Sequence, residues 1–333
     1  MKIARGLRLA VVACAATVLA LALPRAANAQ SGEPIKIGFG MSLTGGLAAN
    51  GKSALVAMKI WEEDINAKGG LLGRPVKLVY YDDQSSSATV PGLYTKLLDV
   101  DKCELIVGGY ATNMLAPAMP VVMQHNMVFI GLFGLAVNTE FKYDKYFAMI
   151  PTGINAKPAM SKPFFDAAMA QSDKPQTIAI VAADAEFARN AADGARTNAK
   201  ELGLKIVYDR TYPPATTDYT PIVRAIQATN PDIVYVGSYP PDSVGMVRAA
   251  NEVGLKTKMF GGGMVGLQAT VFKMQLGPLL NGIVNYDFWL PGKTMQFPGA
   301  LEVLKKYQER AKAEGVDRSE EHTSELQSQN RIS

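Results

Sequence analysis

Short apolar runs alternate with stretches of helical periodicity along most of this chain. Strand candidates form two series. The first comprises residues 35–40, 77–81, 105–109, 128–132 and 147–150, and the second 177–182, 205–208, 232–237, 258–260 and 283–286. Several are apolar without interruption, such as Ile178 to Val181 and Ile233 to Val236, as strands covered on both faces should be. Between the first two, Leu55, Met58, Trp61 and Ile65 recur at helical spacing, and Gly69-Gly70 predicts the stop. Residues 186–202 and 242–253 read as helices closed by Gly203 and Gly254. Strand-helix alternation of this kind predicts an α/β fold with parallel sheets joined by right-handed crossovers.

Two strand series exceed one comfortable doubly wound domain, so two lobes are expected. The first takes residues 30–152 and the second 153–284, after Ile150-Pro151-Thr152-Gly153. Residues 285–317 then return to the first lobe near Asp287 to Pro291. Two such lobes leave a cleft between their strand C-termini, where ligands bind at helix N-termini and switch points.

Both ends read differently from the middle. Lys2, Arg5 and Arg8 precede the apolar run Leu9 to Leu23, and Ala27-Asn28-Ala29 offers a small-residue cleavage site. Residues 1–29 are therefore expected to be an export signal cut after Ala29, with a soluble product in the periplasm. The run is short for a membrane span. Lipidation at Cys14, in Val11-Val12-Ala13-Cys14, is the alternative. At the other end, Arg318 to Ser328 resembles the direct translation of a common short-read sequencing adapter, so residues 318–333 are expected to be foreign to the protein. The last elements of the first lobe would then lie beyond Asp317, leaving apolar sheet surface exposed.

Charge and composition narrow the function further. The chain carries 34 basic and 30 acidic residues, and four of the bases lie in residues 1–29, which hold no acid. The rest is near balance, which offers no electrostatic footprint for nucleic acid or anionic lipid. Without Cys14, Cys103 is the lone cysteine, read as a small buried hydrophobe, with a reactive thiol as the alternative. Gly38-Phe39-Gly40-Met41-Ser42-Leu43 is half of a dinucleotide fingerprint, with Leu43 where the third glycine belongs. His125 is the one histidine outside the tail, and no nucleophile elbow or metal-ligand spacing accompanies it. The expectation is a chain with no catalytic residues, no cofactor and no metal.

Specific stretches then carry a resemblance. These are the segment from Pro34 to Asn50, Asp64-Ile65-Asn66-Ala67-Lys68-Gly69-Gly70-Leu71-Leu72-Gly73, Tyr81-Asp82-Asp83, Val107-Gly108-Gly109-Tyr110-Ala111-Thr112, Asp232 to Tyr239, and Val253-Gly254-Leu255-Lys256. Together they resemble the branched-chain amino-acid binding proteins, the type I periplasmic binding proteins of ABC transporters, over residues 33–317. The resemblance implies a monomer that captures an amino acid, small carboxylate or amide by lobe closure and delivers it to ABC permease subunits. A periplasmic sensor on the same fold is the alternative.

The implied ligand contacts are Tyr110, Ala111, Thr112, Asn113, Phe133, Gly134, Phe187, Tyr239, Gly263 and Met264. The resemblance puts the Thr112 hydroxyl and nearby N–H groups on a ligand carboxylate, although Thr112 or Asn113 could equally cap the helix that follows. Two departures bear on the ligand. Gly134 stands where the family often carries a hydroxyl residue, and Gly261-Gly262-Gly263-Met264, read as the loop after the ninth strand, lacks the acid that faces an amino-acid ammonium. Asp242 is the candidate substitute. A carboxylate end, an apolar body and a weak amino-group site are therefore expected.

Overall fold

The computed structural model describes residues 32–150, 152–288, 292–293 and 297–317. The expected signal, its cleavage site after Ala29 and the tail 318–333 lie outside those residues.

The described strands form two five-stranded sheets. β1 (Ile35–Met41), β2 (Val76–Asp82), β3 (Leu105–Val107), β4 (Phe129–Gly131) and β5 (Tyr146–Ala148) build the first, in the order β2-β1-β3-β4-β5. β6 (Thr177–Ala183), β7 (Lys205–Tyr212), β8 (Ile233–Ser238), β9 (Met259–Met264) and β10 (Ile283–Asn285) build the second, in the order β10-β9-β8-β6-β7. Every pairing is parallel. Counted from its own first strand, each sheet has the same winding, with its switch point between the first and third strands. The helices are α1 (Ala48–Ala67), α2 (Val90–Thr95), α3 (Thr112–Leu115), α4 (Met119–Gln124), α5 (Asn138–Phe141), α6 (Ala156–Met169), α7 (Glu186–Glu201), α8 (Thr220–Ala228), α9 (Pro240–Val253), α10 (Thr270–Leu276) and α11 (Ala300–Glu314).

The second sheet explains its continuous apolar runs. β8 and β9 are buried at every position, and β6 at all but its first. On one side α7 presents Ala188, Ala191, Ala192, Ala195 and Ala199, all buried. Small side chains let α6 come close: a Cβ on Gly194 would stand 2.0 Å from the Lys157 carbonyl oxygen. Gly254, in the left-handed region at φ 67°, closes α9 as expected.

Two expectations need correction here. Gly261, Gly262, Gly263 and Met264 are not a loop but the body of β9, and the loop begins at Val265. The glycines make room for rings. A Cβ on Gly262 would lie 2.4 Å from the Tyr235 ring, which itself sits against Phe164 and Phe165 with centroids 5.3 and 6.2 Å away. The second concerns α1, which starts at Ala48 and buries Gly51, Leu55, Val56 and Ile60, while Trp61 is 42% exposed. The segment is apolar on more than one face, so spacing alone did not single out the buried stripe.

The first sheet is covered unequally. One face packs Ile106 and Phe129 with Tyr94 and Leu97. Cys103 lies there at the end of a close approach to Gly38, and burial pushes its thiol up to about 11. That places Cys103 as the buried hydrophobe the sequence suggested. The glycines of the half-fingerprint belong to the same packing: added Cβ atoms on Gly38 and Gly40 would meet Cys103 and Tyr94. On the opposite face, α1 covers Ile35, Ile37 and Phe39. Toward the β5 edge of that face Leu105, Ile130, Phe147 and Met149 stay exposed, the last two at 56% and 60%. α11 lies along α1, where Lys306 pairs with Asp64 at 2.9 Å and Arg310 with Glu63 at 3.0 Å.

Candidate functional site: the cleft between the sheets

Both switch points open toward the same cleft. At the first, β1 and β3 end in close contact, since a Cβ on Gly109 would sit 2.4 Å from the Gly40 carbonyl oxygen. The chain then turns sharply. Ala111 adopts φ 84°, ψ 149°, a region that favours glycine and costs a side-chain-bearing residue about 1–3 kcal/mol. The first bonds of α3 run from the N–H groups of Met114 and Leu115 to the Ala111 carbonyl, so the N–H groups of Thr112 and Asn113 precede them. Tyr110, just ahead of this turn, packs against the clusters on both faces of the first sheet, and burial pushes its phenol well up.

The second switch point supplies Phe187, at the start of α7, and Tyr239, at the start of α9. The Phe187 N–H donates to the Tyr239 hydroxyl at 3.1 Å, and the two rings meet edge-on with centroids 6.0 Å apart. Burial raises the Tyr239 phenol, so it stays protonated and can still donate. Across the cleft, the Asn190 amide of α7 donates to the Leu135 carbonyl in the loop after β4, at 3.0 Å.

Tyr110, Ala111, Phe133, Phe187 and Tyr239 all line one cavity of about 20 Å3, together with Ile150, Val265, Tyr286 and Phe288. No charged side chain among the described residues lines it. Six of its walls are aromatic rings. An adjoining cavity of about 330 Å3 shares Tyr110, Phe133, Tyr286 and Phe288, and adds Asn50, Ser53, Gln268, Asp287 and Asp317.

The other expected site residues stand elsewhere. Thr112 is buried, and its hydroxyl accepts the Leu135 N–H at 2.9 Å, so it ties α3 to the loop after β4. Asn113 has its Oδ1 buried without a hydrogen-bond partner among the described residues. Gly134 is packed against Leu115 and Val137, with no space for a Cβ. Gly263 and Met264 are inside β9, behind Val265. Asp242 is not available as a counter-charge: its carboxylate takes the Tyr212 and Tyr219 hydroxyls at 3.2 Å each and the Tyr239 N–H at 3.5 Å. Burial raises its carboxyl above the usual range.

Tyr286 and Phe288 were missed. They lie on the segment expected to return to the first lobe, and a crossing chain has to pass the cleft mouth. That topology was the available signal.

A family profile described as "Periplasmic binding protein" matches residues 34–324. The chain belongs to the periplasmic binding protein family. Among curated relatives of this periplasmic binding protein is Leu/Ile/Val-binding protein homolog 7 of Brucella abortus, 26% identical over 305 residues, covering 88% of this chain and 74% of the relative. The leucine-specific-binding protein of Salmonella typhimurium is 26% identical over 252 residues, covering 75% and 66%. Of solved structures, the branched-chain amino acid transporter substrate binding protein of Streptococcus pneumoniae, in complex with isoleucine, superposes with a TM-score of 0.72 at 21% identity, covering 84% of this chain and 77% of that one. An ABC transporter solute binding protein of R. palustris, in complex with 4-hydroxybenzoate, gives 0.71 at 20% identity, covering 84% and 74%. These relatives are binding proteins rather than enzymes. Among the described residues, no helix is long and apolar enough to cross a membrane, and no three His, Cys, Asp or Glu side chains are grouped to hold a metal ion.

Proposed function

We propose that this chain is the extracytoplasmic solute-binding component of an ABC importer. In this reading it works in the periplasm after losing residues 1–29, delivers its ligand to permease subunits and does no chemistry on it. The ligand is a small, mainly apolar carboxylate or amide, a class that takes in branched-chain amino acids.

The observation that carries this reading is the cavity joining the two switch points, walled by six rings and no charge. Rings supply large apolar contact at low entropic cost. The carboxylate end is placed at the Tyr110–Ala111 turn by the resemblance, since Thr112 and Asn113 line neither cavity. An ammonium is less well served in the inner cavity, since the acids Asp287 and Asp317 line only the adjoining one. Asp242 is spent on Tyr212, Tyr219 and Tyr239, and a charge buried without a partner is costly. This favours deaminated or aromatic carboxylates over free amino acids.

The mechanism follows from the double sheet. Residues 30–152, with the return segment 285–317, act as one body and residues 153–284 as the other. Ligand held at the Tyr110 turn gains Phe187 and Tyr239 only when the bodies close, so it biases the closed state by that difference in contacts. The permease reads the closed shape.

A thermal-shift panel tests the ligand class. Benzoate, 4-hydroxybenzoate and 4-methyl-2-oxopentanoate should raise the melting temperature, and more than leucine does. Stabilisation by branched-chain amino acids with none from their deaminated analogues would reverse the preference. Turnover of any of them would end the binding-protein reading.

A further inference from the structure

The two cavities of the cleft share four aromatic residues. Tyr110, Phe133, Phe288 and Tyr286 form an unbroken chain of rings, with successive centroids 5.4, 5.8 and 5.2 Å apart. All four line the inner cavity of about 20 Å3 and also the outer cavity of about 330 Å3. The inner one is close to the smallest space that takes a water. The rings, rather than the sheets, therefore set how much of the cleft is continuous.

The four are not held alike. The end rings are posts. Tyr110 packs against the clusters on both faces of the first sheet, and Tyr286 against the core of the second. The Gln268 amide donates to the Tyr286 carbonyl at 2.9 Å, which fixes the backbone there. The two middle rings carry no polar atom. Phe133 is 38% exposed, on the loop after β4, and Phe288 sits on the segment leaving the second sheet. Their rings meet with centroids 5.8 Å apart, and the contact joins the loop after β4 to the return segment.

We propose that Phe133 and Phe288 are the size-selecting residues of this cleft: a two-leaf partition, hung between fixed tyrosine posts, that parts to admit a flat ligand and limits it to one ring. The inference rests on the solute-binding reading above and adds the residues that set its limit. A single-ring ligand replaces the contact between the leaves with a stack on each. A fused two-ring ligand does not fit between them without displacing a post, which disturbs the packing of Tyr110 or Tyr286 against the sheets. Removing either leaf merges the two spaces and lifts the limit.

Isothermal titration of the full chain with benzoate and with 2-naphthoate reads this directly. The parent should favour benzoate. Phe288→Ala and Phe133→Ala should each move the affinity ratio toward 2-naphthoate by roughly tenfold or more, the scale on which pocket shape discriminates. Circular dichroism checks folding, and Phe288→Leu is the milder variant if an alanine variant unfolds. It should shift the ratio in the same direction by less. If the parent binds neither probe while a leaf variant binds 2-naphthoate, the partition stands and single-ring carboxylates fall as ligands of the parent. If the parent binds benzoate and the ratio stays within about twofold in every folded variant, the partition falls and the solute-binding reading stands. Failure of all variants to bind either probe overturns the partition as well, because the merged space must admit a ring.

Discussion

Ala111 sits in a backbone region that suits glycine, at the turn that begins the cleft. Strain of that kind persists only where neighbours fix the chain. Here the fixing contacts are the Gly40–Gly109 approach before it and the Thr112–Leu135 hydrogen bond after it. Ala111→Gly should therefore stabilise the fold by about 1 kcal/mol, the strain relieved less the extra freedom of an unfolded glycine. Urea denaturation measures it, and a loss of stability would show that the turn is unstrained. Asp232 makes a pH-dependent prediction. Burial opposes its ionisation, but the N–H groups of Gln176 and Thr177, the Thr177 hydroxyl and Lys258 hold its carboxyl down to about 2. Its folded value lies below the ordinary value of about 4, so its contribution is present above about pH 4 and is lost as pH falls toward 2. Asp232→Asn should cost about 1–2 kcal/mol at neutral pH, with the deficit vanishing near pH 2. His125 has the opposite sign. The Val121 carbonyl and Asp99 raise its ring, so its contribution is present at low pH and lost as pH rises through the folded value. His125→Ala should melt below the parent at about pH 5 and match it at about pH 9.

The strands were more legible than the helices and loops. All ten expected strands exist, because unbroken runs such as Ile233 to Val236 have no other stable place than the middle of a covered sheet. β3, β4 and β5 are shorter than their apolar runs suggested, since the chain leaves the ladder where the cleft loops begin. Gly261 to Gly263 misled for a physical reason. Consecutive glycines look like a loop, yet here they form a notch for Tyr235, whose neighbours Phe164 and Phe165 lie in α6, about a hundred residues before the notch, and are unreadable as its partners from local sequence. Gly262→Ala tests the notch. The added methyl should cost roughly 1–3 kcal/mol through ring overlap, plus the cost of a side chain at φ 104°. Near-wild-type denaturation would mean the ring can shift. Within the cleft, the aromatic walls were readable from strand ends and the resemblance, whereas Tyr286 and Phe288 required knowing where the return segment crosses. Nor could spacing reveal that the Thr112 hydroxyl is committed to Leu135.

On the scale of the whole molecule, coverage is uneven. The second sheet is buried through its centre, while the β5 side of the first leaves Leu105, Ile130, Phe147 and Met149 in solvent. A contiguous apolar face of that kind promotes self-association. Sedimentation velocity should show concentration-dependent association that Phe147→Ser with Met149→Ser reduces, and a parent that stays monomeric at high concentration would count against it.

The shared winding of the two sheets has a further consequence. Because the proposed ligand contacts sit beyond the strand ends, while the strands themselves carry the interior, selectivity and foldability would be written in largely separate letters. Loops such as 109–113, 132–135 and 286–288 can drift toward new cargo while the scaffold beneath them keeps its text, and one architecture can furnish a whole wardrobe of importers.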